Sequence, residues 1–154
     1  MESQQSEFVN GKIKTAIENL NAGYSCSEAV LLTYGPQLGL DHELAFKIAS
    51  GFSGGMGLMG DTCGAVTAAY MVIGLKFGAG SVTDSCSRAL THEFIANFAD
   101  LFKERNGSIY CRDLVGGMDM SMIEGRKYIR EQGKVPRIVS DAIMILEELF
   151  SQPT

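Results

Sequence analysis

Residues 51–77 read Gly-Phe-Ser-Gly-Gly-Met-Gly-Leu-Met-Gly-Asp-Thr-Cys-Gly-Ala-Val-Thr-Ala-Ala-Tyr-Met-Val-Ile-Gly-Leu-Lys-Phe. The first fourteen hold six glycines, a density found where backbone turns sharply or approaches something closely. The rest, Ala65 to Phe77, is apolar on nearly every side of a helical wheel. Such a helix has to be central and buried. Asp61 or Thr62 is placed to cap it, which puts Cys63 in its first turn, where free N–H groups and the positive end of the helix dipole favour a thiolate.

Working outward, the periodicity is helical throughout. Residues 1–6 read as a frayed or disordered end, and a single domain covers 7–152. Val9, Ile13, Ala16, Ile17 and Leu20 share one helical face, and Gly23 stops that helix. Ser25-Cys26-Ser27-Glu28 fits a capping box that opens a helix running to about Leu38. Asp41 caps a third helix with a face of Leu44, Ala45, Ile48, Ala49 and Phe52.

Beyond the central helix, Gly78 and Gly80 break the chain, and Thr83 or Asp84 caps a long helix striped with Leu90, Phe94, Phe98, Leu101 and Phe102. Asn106-Gly107 ends it. Ser108 caps a short helix holding Cys111. Ser121 to Glu124 reads as a second capping box, and Pro136 opens the last helix, whose face is Val139, Ala142, Ile143, Leu146 and Phe150. No strand and no internal repeat stands out. The fold class expected is all-α, a single-domain bundle of six to eight helices.

Composition narrows the function classes. The 154 residues carry a net charge of −5, which argues against nucleic acid or an anionic membrane surface as partner. The longest apolar run falls short of the ~20 residues that cross a bilayer, so no membrane insertion is expected. The polar N-terminus has no signal-peptide pattern, and the expected location is cytoplasmic. Four cysteines in that setting are more often reduced, metal-bound or catalytic than paired. Eight methionines and eight phenylalanines leave apolar surface for a homodimer.

Each cysteine lies in or near the first turn of an expected helix, after a glycine break: Cys26 after Gly23, Cys63 after Gly60, Cys111 after Gly107, and Cys86 more loosely after Gly80. Cysteine also packs well beside tight turns as a small apolar residue. No pair has C-x-x-C spacing, so folding has to assemble any shared site. Converging N-termini would pool their positive ends around Cys26, Cys63 and Cys111, with Cys86 apart. A disulfide among them needs Cα atoms less than ~7 Å apart.

The motifs Gly23-Tyr24-Ser25-Cys26, Gly51-Phe52-Ser53-Gly54-Gly55-Met56, Cys63-Gly64-Ala65 and Gly107-Ser108-Ile109-Tyr110-Cys111 resemble the C_GCAxxG_C_C family, from about Ala16 to Phe150. The resemblance implies a small helical redox-active protein with a cysteine set and a suspected iron–sulfur role. Cys26, Cys63 and Cys111 match it residue by residue. Val135, in Lys134-Val135-Pro136-Arg137, stands where the family has its last cysteine, and Ala68 stands for the second glycine of the central motif. Cys86 is at no family position.

Other candidates weigh less. Gly55-Met56-Gly57-Leu58-Met59-Gly60 spells G-x-G-x-x-G, but a helix rather than a strand precedes it, so the dinucleotide reading lacks its context. Gly54, Gly55, Gly57, Gly60 and Gly64 better suit close helix approach or the wrapping of a small ligand. There is no C-x-x-C-H motif for a haem. Met118, Met120 and Met122 could offer thioethers to a soft metal but more often fill core gaps. His42 and His92 read as solvated. Tyr24 and Tyr110 could line a site or simply pack, and Arg112 could steady a thiolate at Cys111.

Two chemistries remain, beside a third class, a helical interaction module with inert thiols. In the first, Cys63 attacks a disulfide, Cys26 or Cys111 resolves it, and a redox partner protein supplies or takes electrons. In the second, Cys26, Cys63 and Cys111 bind an iron–sulfur cluster or another thiophilic metal, with a fourth position open or not cysteine.

Overall fold

The computed structural model describes residues 1–153. It contains eight α-helices: α1 (Glu2–Asn21), α2 (Cys26–Tyr34), α3 (His42–Ser50), α4 (Gly64–Phe77), α5 (Ser85–Asn106), α6 (Cys111–Leu114), α7 (Ile123–Glu131) and α8 (Lys134–Phe150). A 3-10 turn, Pro36–Leu38, follows α2. Among the described residues there is no strand, only one isolated antiparallel bridge between Thr62 and Tyr110. The protein is all-α.

The apolar run at 65–77 is the hub. α4 packs on α2, α5 and α8, with Ala65, Val66, Ala68, Ala69, Val72 and Ile73 fully buried. Three alanines on that surface let α2 come close, and α2 answers with buried Ala29, Val30, Leu31 and Leu32. On the other side α5 lays down Phe94, Phe98 and Phe102. Phe94 stacks on Phe77 with centroids 4.4 Å apart, and Phe98 stacks on Phe102 at 5.9 Å. Full burial of a side chain of this kind contributes about 1.5–3 kcal/mol, so this aromatic row holds α5 in place. α8 closes the core with Val139, Ala142, Ile143 and Leu146, while α1 crosses α8 and α2.

Several local expectations change. The first helix reaches back to Glu2, although residues 1–8 are exposed; Glu2 in the first turn suits the positive end of the helix. α2 stops at Tyr34 because Pro36 follows, and the chain continues as the 3-10 turn. Only Ala45 and Ala49 of α3 are buried, while Leu44 and Ile48 are 49% and 41% exposed. The α3 stripe is therefore rotated toward its two alanines, which permit close approach to α2. Neither Asp61 nor Thr62 caps α4: Cys63 itself is the N-cap, without a side-chain cap bond. Tyr110 rather than Ser108 precedes α6, and Met122 rather than Ser121 precedes α7. Ser121 instead donates to the Asp119 carboxylate. Gly64 is closely packed as expected, but Gly74 has nothing within 4 Å of where a Cβ would lie.

Candidate functional site

The loop between α3 and α4 builds the site. Residues 54–58 all have positive φ, from 59° at Gly57 to 73° at Gly55, and they include Met56 at 61° and Leu58 at 68°. Left-handed backbone costs about 1–2 kcal/mol for each residue that carries a Cβ. Bonds at the base of the turn hold it: the Leu58 N–H donates to the Ser53 carbonyl at 2.9 Å, Gly60 to Gly54 at 3.1 Å and Asp61 to Gly55 at 3.0 Å. The chain leaves this turn extended and pairs with residues 109–112. The Cys63 N–H donates to the Ile109 carbonyl at 2.8 Å, Cys111 to Asp61 at 2.7 Å and Arg112 to Gly60 at 3.1 Å. Side chains alternate along extended backbone, so this pairing puts Cys63 and Cys111 on one face. Gly55 closes the arrangement, since a Cβ there would lie 2.6 Å from Cys111 Cβ and 2.6 Å from the Asp61 carbonyl.

Cys26 reaches the same place from α2. Ser25 caps that helix through a complete capping box: its N–H donates to Glu28 Oε2 at 2.8 Å, and its Oγ accepts from Glu28 N at 3.4 Å. Cys26 is then the first helical residue. Its sulfur lies over the start of α4, where a Cβ on Gly64 would fall 2.8 Å from Sγ and 2.9 Å from the Phe52 carbonyl. Glycine at 64 is thus what lets a thiol of one helix touch the N-terminus of another.

The electrostatics follow from that contact. Cys26 is lowered from 9.0 to about 7, chiefly by a hydrogen bond from the Cys63 thiol, with further N–H bonds from Ser27, Ala65 and Cys26 itself; burial opposes the shift. Two helix N-termini, those of α2 and α4, converge on one sulfur. Cys63 moves the other way, well up, because it is the donor to Cys26 and is buried. Cys111 is pushed up to about 11 by burial and then by the Cys26 charge. Cys63 is the thiol expected from the sequence to ionise readily; the directions here, Cys26 down and Cys63 up, favour Cys26 instead.

All four cysteines are free. Cys26 and Cys63 share the main apolar cluster at the start of α4 and Cys111 lies in a second, smaller one, while Cys86, second residue of α5, is exposed and joins neither. Val135 packs against the cluster of Cys111, Val115 and Ile129 and lines the same cleft as Cys26, so an apolar side chain fills the corner beside the thiols. Among the described residues, no three His, Cys, Asp or Glu side chains are grouped as a metal ion would require. With a valine at the fourth position and no such group of side chains, the donor set does not fit a four-thiolate cluster.

The remaining candidates find other work. Gly54 lines the cleft, Gly57 is exposed, and Gly60 abuts Arg112. Arg112 Nε donates to the Gly60 carbonyl at 3.0 Å, clamping the loop. Tyr24 packs edge-on against Phe46 at 5.4 Å, and Tyr110 is 46% exposed. Met118 and Met120 pack on the Cys111 cluster while Met122 is exposed, so the three methionines form no ligand set. His42 and His92 are exposed.

Cys26 lines a cleft of ≈ 570 Å³ together with Met120, Arg126, Ile129 and Arg130. Sequence reading missed these arginines, although two of them four residues apart on one short helix share a face. It also missed the N–H donors of Ser27 and Ala65, which residue type cannot signal.

Residues 24–149 match the model of the family described as "Putative redox-active protein (C_GCAxxG_C_C)", and the chain belongs to that family. No curated protein and no solved structure matches the chain. No helix among the described residues is long and apolar enough to cross a membrane.

Proposed function

We propose that this protein is a thiol–disulfide redox protein in which Cys26 is the nucleophile and Cys63 the resolving thiol. The geometry that supports the reading is this: Cys26 starts α2, its sulfur lies against Gly64 at the start of α4, and the residue lines a cleft. A thiolate with a pKa near ambient pH is the best attacking thiol, since lower values reduce nucleophilicity.

The Cys26 thiolate attacks one sulfur of a disulfide RS–SR, forming Cys26–S–SR and releasing RS⁻. Cys63 then loses its proton to the departing thiolate or to water, attacks the Cys26 sulfur and expels the second RS⁻. The protein gives up two electrons and two protons, and the disulfide becomes two thiols. A thiol reductant or a partner redox protein restores the dithiol. The order is self-timed. Cys63 resists ionisation chiefly because it bonds to Cys26, and capping Cys26 as a mixed disulfide removes that cause.

A single-turnover experiment tests this. In a Cys86→Ser background, excess dithiodipyridine is expected to release two equivalents of thiopyridone from the Cys26–Cys63 pair and leave an intramolecular disulfide, found by peptide mapping. The further Cys63→Ser variant is expected to stop at a mixed disulfide on Cys26. A stable mixed disulfide on Cys26 with Cys63 intact, or first capture at Cys63, overturns the proposal.

A further inference from the structure

The reading of Cys26 as nucleophile leaves open what enters its cleft, and the residues that share the lining answer that. Arg126 and Arg130 both line it, one turn apart on α7. Neither takes part in an ion pair among the described residues. Arg126 spends Nη1 on the carbonyls of Met120 at 2.8 Å and Ser121 at 3.1 Å. Its Nε and Nη2, and the whole Arg130 guanidinium, make no hydrogen bond or ion pair among the described residues. Glu28 is the one acid on the cleft lining, and its Oε2 already accepts the Ser25 N–H. The cleft is thus cationic in a chain of net charge −5.

Guanidinium groups are forks for carboxylates and other planar anions. Apolar side chains line the same cleft: Leu58, Ile129 and Val135. A ligand that satisfies all three features has a reactive sulfur, a short apolar body and an acidic end. The volume, ≈ 570 Å³, is that of a small-molecule site.

We infer that the cleft selects low-molecular-weight disulfides bearing carboxylates, with Arg126 and Arg130 binding the anionic end while one sulfur meets Cys26. This rests on the thiol-redox reading above and names its substrate class. The exchange is the one already written, with RS⁻ a carboxylate-bearing thiolate.

The test uses the full-length Cys86→Ser protein and three disulfides: dithiobis(nitrobenzoate), a dianion; dithiodipyridine, neutral; and cystamine, a dication. Each rate with Cys26 is divided by the rate of the same probe with N-acetylcysteine, which removes intrinsic reactivity. The expected order is dianion, then neutral, then dication. Arg126→Gln/Arg130→Gln should slow the dianion ~tenfold and leave the neutral probe within about twofold, the scale of focused charge in a cleft. Salt at ~1 M should compress the same preference.

Arg130→Gln alone breaks no hydrogen bond among the described residues, so it carries the test if the double variant loosens the 120–126 turn. Arg130→Lys should recover part of the preference as a point charge without the fork. A neutral probe that reacts no faster than with the free thiol would sink the nucleophile reading itself. A fast neutral reaction with no charge ordering, or an ordering that survives loss of both arginines, would overturn the substrate class alone. Fast exchange only with a disulfide-bonded protein would likewise replace the small-molecule assignment with a macromolecular one.

Discussion

Cys26 and Cys111 begin helices in the same way, each as the first helical residue after a glycine break, yet they end at opposite extremes. Cys26 is lowered to about 7 and Cys111 is pushed up to about 11. The first-turn position is common to both, so position alone does not activate a thiol. α2 runs nine residues and α6 only four, so α6 has little aligned dipole to offer. The Cys111 N–H is spent on the Asp61 carbonyl, and its side chain sits among Val115, Ile129 and Val135. The Cys26 sulfur is instead met by a second helix end and by a second thiol. What separates the two is convergence in space, which only the fold provides.

Glycine 64 is where that convergence is most easily broken. Gly64→Ala drives a Cβ into Cys26 Sγ and into the Phe52 carbonyl, which cannot yield as a side chain does. Overpacking of this kind costs about 1–3 kcal/mol, expected as a lower urea midpoint, and Cys26 should lose its low pKa as its sulfur is displaced. Unchanged stability with unchanged Cys26 reactivity would show that the two helix ends do not meet as described. The same change at Gly55 should destabilise at least as much, since it also forces alanine to a φ of 73° against Cys111. It would, however, act on the Cys111 side of the comparison.

Smaller in effect is Cys63→Ala, which removes the leading cause of the Cys26 shift while leaving the N–H donors in place. Alkylation of Cys26 at neutral pH should slow severalfold, and Cys63→Ser should slow it less because a hydroxyl can still donate. Equal rates in all three proteins would assign the thiolate to the helix ends alone. Smallest is Val135→Cys, which places a thiol in the apolar corner beside Cys111 and Cys26. The variant is expected to retain more iron than its parent after anaerobic reconstitution, by metal analysis. No gain would mean that the corner is not shared with the three sulfurs.

The fold was largely legible in the sequence because its signals are local. All-round apolarity from Ala65 to Phe77 marked the central helix, and the serine and glutamate of residues 25–28 marked the start of α2. The phenylalanine stripe marked the buried face of α5. The helix-start setting of Cys26 and Cys111 was legible too, through the glycine breaks before them. The roles were not. Choosing Cys63 over Cys26 rested on a cap at Asp61 or Thr62, whereas the chain leaves its left-handed turn extended and makes Cys63 the N-cap. Met56 and Leu58 give no sequence sign that they adopt left-handed backbone; the turn is imposed by its glycines and by the pairing that follows. Nor could Leu44 and Ile48 reveal that α3 presents its alanines instead.

The central claim is that the negative charge of the thiol pair resides on Cys26. Its most direct test is the pH dependence of alkylation, read site by site by mass spectrometry on the Cys86→Ser protein with iodoacetamide at constant ionic strength. A depressed thiol pKa means that reactivity is fully present above the folded value and falls as pH drops through it. Cys26 labelling should therefore rise with a midpoint at about 7, Cys111 should lag until about 11, and Cys63 should stay unlabelled through neutral pH. Labelling that begins at Cys63, or Cys26 and Cys111 titrating together, would contradict the account.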